Sequence, residues 1–141
     1  MLIAVNAGNS RVLLGGYEED GQVFSASIAT EPKLTRDDYA CKLQQVLLLY
    51  GVNVRRIHGG IVSSVVPSMV GVLEGALRLL GIRDVIEVSS GVKTGLNIRS
   101  EQPRQVGSDR VAAAVAARAK GKLPCVAVTL GTATTFTALD Q

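Results

Sequence analysis

Apolar and polar positions change period along this chain, and the changes mark its elements. Residues 2–5 are an apolar run, Asn6-Ala7-Gly8-Asn9-Ser10 is a polar, turn-forming stretch, and residues 11–17 are apolar again. That order predicts a strand, a tight turn and a second strand. Glu18-Glu19-Asp20-Gly21 signals another turn, and residues 22–29 then set Val23, Ser25 and Ser27 against Phe24, Ala26 and Ile28. This is the period of a half-buried strand, so the chain is expected to open as a three-stranded meander.

The period then becomes helical. Thr35 followed three residues later by Asp38 has the form of a capping box, and Tyr39, Leu43, Val46, Leu47 and Tyr50 recur at helix spacing until Gly51. Residues 57–66 read as a buried strand, and Pro67 opens a second helix carrying Val70, Leu73, Leu77 and Leu80 up to Gly81. A fifth strand is expected at 84–88 and a loop at 89–95. Ser108 is predicted to cap an Ala-rich helix over 109–120, stopped by Gly121. Residues 125–130 and 136–139 form a last pair of strands around a turn at 131–135. Strands first, then helices and strands in alternation, predict an α/β layer structure with a mixed sheet.

Composition narrows the function classes. With 141 residues, 47% apolar and 19% charged, the chain matches about one domain with a sizeable core. Its 15 Lys and Arg against 12 Asp and Glu are scattered, and it has no Trp, so neither a basic stripe nor a stacking platform for nucleic acid is expected. Cys41 and Cys125 lie far apart in apolar surroundings and predict two buried free thiols rather than a zinc site. The N-terminal apolar run is too short for a membrane span, and a cytoplasmic protein is expected.

One motif occurs twice. The stretch Leu2-Ile3-Ala4-Val5-Asn6-Ala7-Gly8-Asn9-Ser10 overlays Cys125-Val126-Ala127-Val128-Thr129-Leu130-Gly131-Thr132-Ala133 at an offset of 123 residues. If each opens one duplicated unit, the complete molecule needs about 245 residues. A strand ending in such a turn lets Gly bring the backbone close to a phosphate while N–H groups and hydroxyls point at its oxygens. Two of them form a clamp for a nucleotide. The competing reading is a plain hairpin turn, since Gly, Asn and Ser are ordinary turn residues.

Four stretches together resemble the type III pantothenate kinases of the actin-like, ribonuclease-H-like phosphotransferase superfamily. They are Ala4-Val5-Asn6-Ala7-Gly8-Asn9-Ser10, Ile61-Val62-Ser63-Ser64-Val65-Val66-Pro67, Gly91-Val92-Lys93-Thr94-Gly95-Leu96-Asn97-Ile98-Arg99, and Val106-Gly107-Ser108-Asp109-Arg110 with Gly131-Thr132-Ala133-Thr134-Thr135-Phe136 downstream. The resemblance implies a ribonuclease-H-like domain with a mixed sheet flanked by helices over 1–121, and the first strands of a second domain over 122–141. It implies phosphorylation of pantothenate by ATP toward coenzyme A, in a homodimer using Mg2+ and a monovalent cation (K+ or NH4+).

In that scheme Asp109 is the general base, Gly107, Arg110 and Ser100 contact pantothenate, and Asn6, Gly8, Asn9, Ser10, Gly131, Thr132 and Thr134 form two phosphate loops. Asn6 and Thr129 stand at the metal positions. A carboxylate that takes the nucleophile's proton is the kind of help phosphoryl transfer needs. The plainer reading of Asp109 is a carboxylate complementing the positive end of its helix. The Ala112, Ala113, Ala116 and Ala117 face has little bulk and suits close helix approach in a dimer.

Three positions depart from the family pattern. Asn6 and Thr129 replace acids, and Ser100 replaces a Tyr. The first two keep a neutral oxygen and lose the charge that attracts hard cations. Ser100 loses an aromatic face and a longer hydroxyl reach. These changes predict impaired catalysis by this chain. The rival readings are a non-catalytic, pseudokinase-like nucleotide-binding or regulatory module of the same fold, and another phosphotransferase or nucleotide hydrolase of the superfamily. The segment 91–99 argues against the last. His58, the single histidine, and the Arg55-Arg56 pair are expected to be structural or surface groups.

Overall fold

The computed structural model describes residues 1–89, 91–131 and 133–140, with Arg104 described by its backbone alone. It divides into two compact units, Met1–Glu87 and Val88–Gln141.

The first unit is built from β1 (Leu2–Ala7), β2 (Arg11–Glu18), β3 (Gly21–Ala29), α1 (Arg36–Leu49), β4 (Gly59–Ser64), α2 (Pro67–Leu79) and β5 (Val85–Glu87). The strands form one sheet in the order β3-β2-β1-β4-β5. Successive strands at the start pair antiparallel, as a meander must. The helices carry the chain back so that β4 joins β1, and β5 joins β4, in parallel. The meander, both helices and the mixed sheet follow the sequence pattern, with β5 shorter than expected.

Local chemistry sets the helix ends. Thr35 and Asp38 form a reciprocal capping box: Thr35 N–H donates to Asp38 Oδ2 at 2.9 Å, and Asp38 N–H donates to Thr35 Oγ1 at 3.3 Å. The carboxylate also accepts from the Thr35 hydroxyl at 2.7 Å; that bond first, and then the one from the Thr35 N–H, hold the Asp38 carboxyl below its ordinary value, against an opposing cost of desolvation and with the Lys42 charge adding to them. At the far ends, Gly51 and Gly81 take positive φ, and Val52 and Ile82 donate back to the carbonyls of Leu47 and Leu77.

One face of the sheet and the two helices enclose the core. Ile3, Val5, Val12, Leu14 and Val62 meet Leu43, Leu47, Met69, Leu73 and Leu77, all essentially excluded from water. Each such side chain is worth roughly 1.5–3 kcal/mol on burial. Tyr39 is also fully buried, and its hydroxyl is satisfied by the Glu31 backbone, whose N–H donates to it at 2.9 Å. The alternation expected for β3 holds: Phe24 faces the core while Ser25 and Ser27 are exposed.

The second unit contains α3 (Ser108–Lys120), β6 (Cys125–Leu130) and β7 (Thr134–Leu139), preceded by an irregular segment. β6 and β7 form an antiparallel two-stranded sheet. α3 packs Val111 and Ala114 inward, leaving Ala112 and Ala116 exposed. No described helix is long and apolar enough to cross a membrane.

The cysteines correct the sequence reading. Both are free, but Cys41 is exposed and Cys125 half-buried. Cys41 follows buried Ala40 by one residue, and one residue on a helix is a ~100° turn away from the core face.

Candidate functional site

In the first unit, Gly8, Asn9 and Ser10 form the tip of the β1–β2 hairpin. The Gly8 N–H donates to the Arg11 carbonyl at 2.9 Å. Thr30 pins both sides of the tip: its hydroxyl donates to the Gly8 carbonyl at 2.8 Å, and its N–H donates to the Ser10 carbonyl at 3.0 Å. The bend is held from outside, while Asn9 and Ser10 stay exposed at its end. Asn6 lies one strand position before Ala7, opposite Leu13 on β2 and Ser63 on β4. Its Oδ1 is buried and unpartnered among the described residues. An unsatisfied buried acceptor costs roughly 1–3 kcal/mol.

In the second unit the helix start differs from the sequence expectation. Gly107, not Ser108, is the N-cap residue of α3, and its carbonyl accepts from the N–H groups of Arg110 and Val111, both at 3.1 Å. Ser108 is already inside the helix, because the chain reaches helical geometry one residue earlier than a serine cap requires. Asp109 is half-buried in the first turn, where the exposed N–H ends favour a carboxylate. A Cβ at Gly107 would lie 2.6 Å from Asp109 Oδ1. The absence of a side chain at 107 therefore leaves room for the carboxylate to fold back over the cap.

Arg110 is tied to β7. Its Nε donates to Thr137 Oγ1 and its Nη2 to the Phe136 carbonyl, each at 3.4 Å. A guanidinium carries five donors, so this anchoring leaves others to hold an anion. Arg110 lines a cavity of about 970 Å³ together with Leu96, Ser100, Arg118, Cys125 and Thr137. Arg110 and Ser100 thus line one cavity, whereas Gly107 and Asp109 are not among its lining residues. The Ser100 hydroxyl accepts from the Gln102 N–H at 3.3 Å.

The second turn carries Gly131 and Thr134. The Gly131 N–H donates to the Ala133 carbonyl at 3.3 Å, and Thr134 begins β7 in an exposed position. Thr132 lies outside the described residues. Thr129 is half-buried and pairs with Thr135, whose Oγ1 is buried and unpartnered among the described residues.

The metal positions can be tested on their donors. Asn6 supplies one neutral amide oxygen and Thr129 one neutral hydroxyl. No group of three His, Cys, Asp or Glu that could hold an ion occurs among the described residues. Hard cations take carboxylate and phosphate oxygens, so neither position fits a resident metal centre. His58 is exposed, and Arg56 pairs with Glu18 at 2.8 Å on the surface, both as expected of structural groups.

Two contributors escaped the sequence reading, Thr137 and Arg118. Thr137 carries no local signal. Arg118 stands eight residues after Arg110 on α3, and that spacing returns it to the same helix stripe.

The fold is shared with a solved sugar kinase. The crystal structure of a candidate N-acetylglucosamine kinase from Porphyromonas gingivalis superposes with a TM-score of 0.58 at 17% identity, over 99% of this chain and 44% of that one. This class is a mixed α/β fold with a five-stranded sheet and helices packed on it. The sequence pattern of the type III pantothenate kinases matches residues 2–141. A type III pantothenate kinase from Syntrophotalea carbinolica is 40% identical over 136 residues, 96% of this chain. The chain belongs to the type III pantothenate kinase family, and it spans 53% of the length of that curated relative.

Proposed function

We propose that this chain supplies the substrate-binding part and the general base of an ATP-dependent pantothenate kinase acting in coenzyme A biosynthesis. The observation that carries the reading is the start of α3. There Gly107-Ser108-Asp109-Arg110 brings a carboxylate to a helix N-terminus beside an arginine that β7 holds against a cavity.

Asp109 accepts the proton of the pantothenate hydroxyl as that oxygen attacks the terminal phosphate, and the spare donors of Arg110 hold the substrate carboxylate. Ser100 lines the same cavity. Asn6, Gly8, Asn9 and Ser10 on one hairpin, and Gly131, Thr132 and Thr134 on the other, bind ATP phosphates through main-chain amides and hydroxyls. The neutral oxygens of Asn6 and Thr129 supply no charge for a cation. Mg2+ would therefore be part of the ATP substrate and not be held by these residues, and the K+ or NH4+ requirement of the family is weakened. Residues 1–121 form the first domain, and 122–141 open the second. A cytoplasmic homodimer with the Ala112 and Ala116 face in its contact completes the proposal.

The test is a coupled ADP-release assay on the family-length protein with pantothenate, ATP, Mg2+ and K+. Asp109→Asn is expected to lower kcat by about 10²–10⁴. Turnover insensitive to that change overturns the role of Asp109.

The unpartnered Asn6 Oδ1 favours a second reading, a nucleotide-binding module without catalysis. Nucleotide would then raise Tm with no ADP released. Recovery of turnover by Asn6→Asp with Thr129→Asp would assign the loss to missing charge.

A further inference from the structure

A hydrogen bond that spans 23 residues of sequence joins the Gly91 to Arg99 segment to α3. Arg118 Nη1 donates a short hydrogen bond to the carbonyl of Gly95. The turn that presents this carbonyl is itself defined: Leu96 N–H donates to Thr94 Oγ1 at 3.3 Å, and Gly95 takes φ +75°, a region other residues rarely adopt. A Cβ at Gly95 would lie 3.0 Å from Arg118 Nη1. Beyond the turn, Leu96, Ile98 and Ser100 line the cavity, and Arg110, Ala114 and Arg118 line it from one stripe of α3.

α3 therefore holds two walls of the same cavity with two arginines. Arg110 ties β7, and Arg118 ties the turn at 94–96. We propose that Arg118 is a positioning residue: by fixing Gly95 it sets the wall from Leu96 to Ser100 against α3, and thereby sets the affinity for pantothenate while leaving the chemical step alone. The substrate part of this claim rests on the function proposed above. A competing role exists for Arg118, since a cation in the last turn of a helix is favourable wherever its side chain points. That role involves no coupling to Gly95.

The experiment breaks the contact from each end in the family-length protein, with Arg118→Met, Gly95→Ala and the double variant. Trypsin cleavage after Lys93 and Arg99, followed by mass spectrometry without ligand, reads the turn directly. Each single variant should be cut about fivefold faster at these sites, the size expected of a water-exposed hydrogen bond of ordinary net strength. The double variant should be cut more slowly than the product of the two single effects, because both remove one shared interaction while Gly95→Ala adds the strain of its φ alone. Arg118→Lys keeps a donor and should stay near the wild-type rate, which also controls for failure to fold.

The pantothenate KM should rise about fivefold in both single variants with kcat within about twofold. Unchanged cleavage, or single effects that multiply in the double variant, overturns the contact as the positioning device. A changed kcat with unchanged KM overturns its role in affinity. If wild-type protein neither turns over pantothenate nor is protected by it from trypsin, the proposed function fails and the substrate role with it. The cleavage pattern of the variants then still decides the contact itself.

Discussion

The two hairpins are built from one sequence pattern and live in different surroundings. β1 and β6 each run six residues, and Leu2 to Cys125 is the same 123-residue step as Arg11 to Thr134. Their turns differ by one place: Ala7 pairs with Val12, whereas Leu130 pairs with Thr134. The larger difference is burial. Val12 and Leu14 are 0% and 2% exposed, whereas Val128 and Leu130 are 52% and 82% exposed. The first hairpin lies inside a five-stranded sheet with two helices on its inner face, and the second is a two-stranded ribbon. A short pattern of apolar residues and a turn is enough to specify a hairpin, but its stability comes from what packs on it.

Substitution in the two hairpins should break this symmetry most strongly. Leu14→Ala should cost about 3 kcal/mol in urea unfolding, because it opens a cavity in the closed core. Val128→Ala should change stability by less than about 0.5 kcal/mol, since its side chain is half in water. Equal effects at the two positions would mean that the second hairpin is as well covered as the first.

A smaller effect separates stability from chemistry within the second unit. Gly107→Ala forces the Asp109 carboxylate to rotate away from the cap, and rotation of a short side chain costs little. The variant is expected to keep its Tm while losing about tenfold in kcat, or roughly 1.4 kcal/mol of barrier. A lowered Tm with unchanged kcat would assign Gly107 to folding alone.

The mildest prediction concerns the first unit. Thr35→Ala removes one half of the capping box and should cost about 1 kcal/mol. The Asp38 half depends on pH. Its folded carboxyl lies below the ordinary aspartate value, so its contribution is fully present above that ordinary value and is lost as pH falls through the lower folded one. The gap between wild type and Asp38→Asn, measured by thermal unfolding, should therefore be constant near neutrality and narrow in strong acid.

What the chain's order of residues settled is the set of features whose partners lie a few residues apart. The capping box needs only Thr35 and Asp38. The helix stops need Gly51 and Gly81 beside carbonyls they can reach, and the hairpins need a turn between two apolar runs. Ser108 shows how narrow that window is: a serine ahead of an apolar helix is an ordinary cap, yet a shift of one residue gave the position to Gly107. Cys41 shows a second limit, since apolar neighbours in sequence point to different sides of a helix.

Only the tertiary structure decided the joining of β4 to β1, the anchoring of Arg110 by Thr137, and the bond from Arg118 to Gly95. Each pairs groups more than 20 residues apart. Such a contact forms because the packing of whole elements has already met the entropy of bringing them together. The type of each side chain says what it can bind, and the fold alone says which partner is within reach.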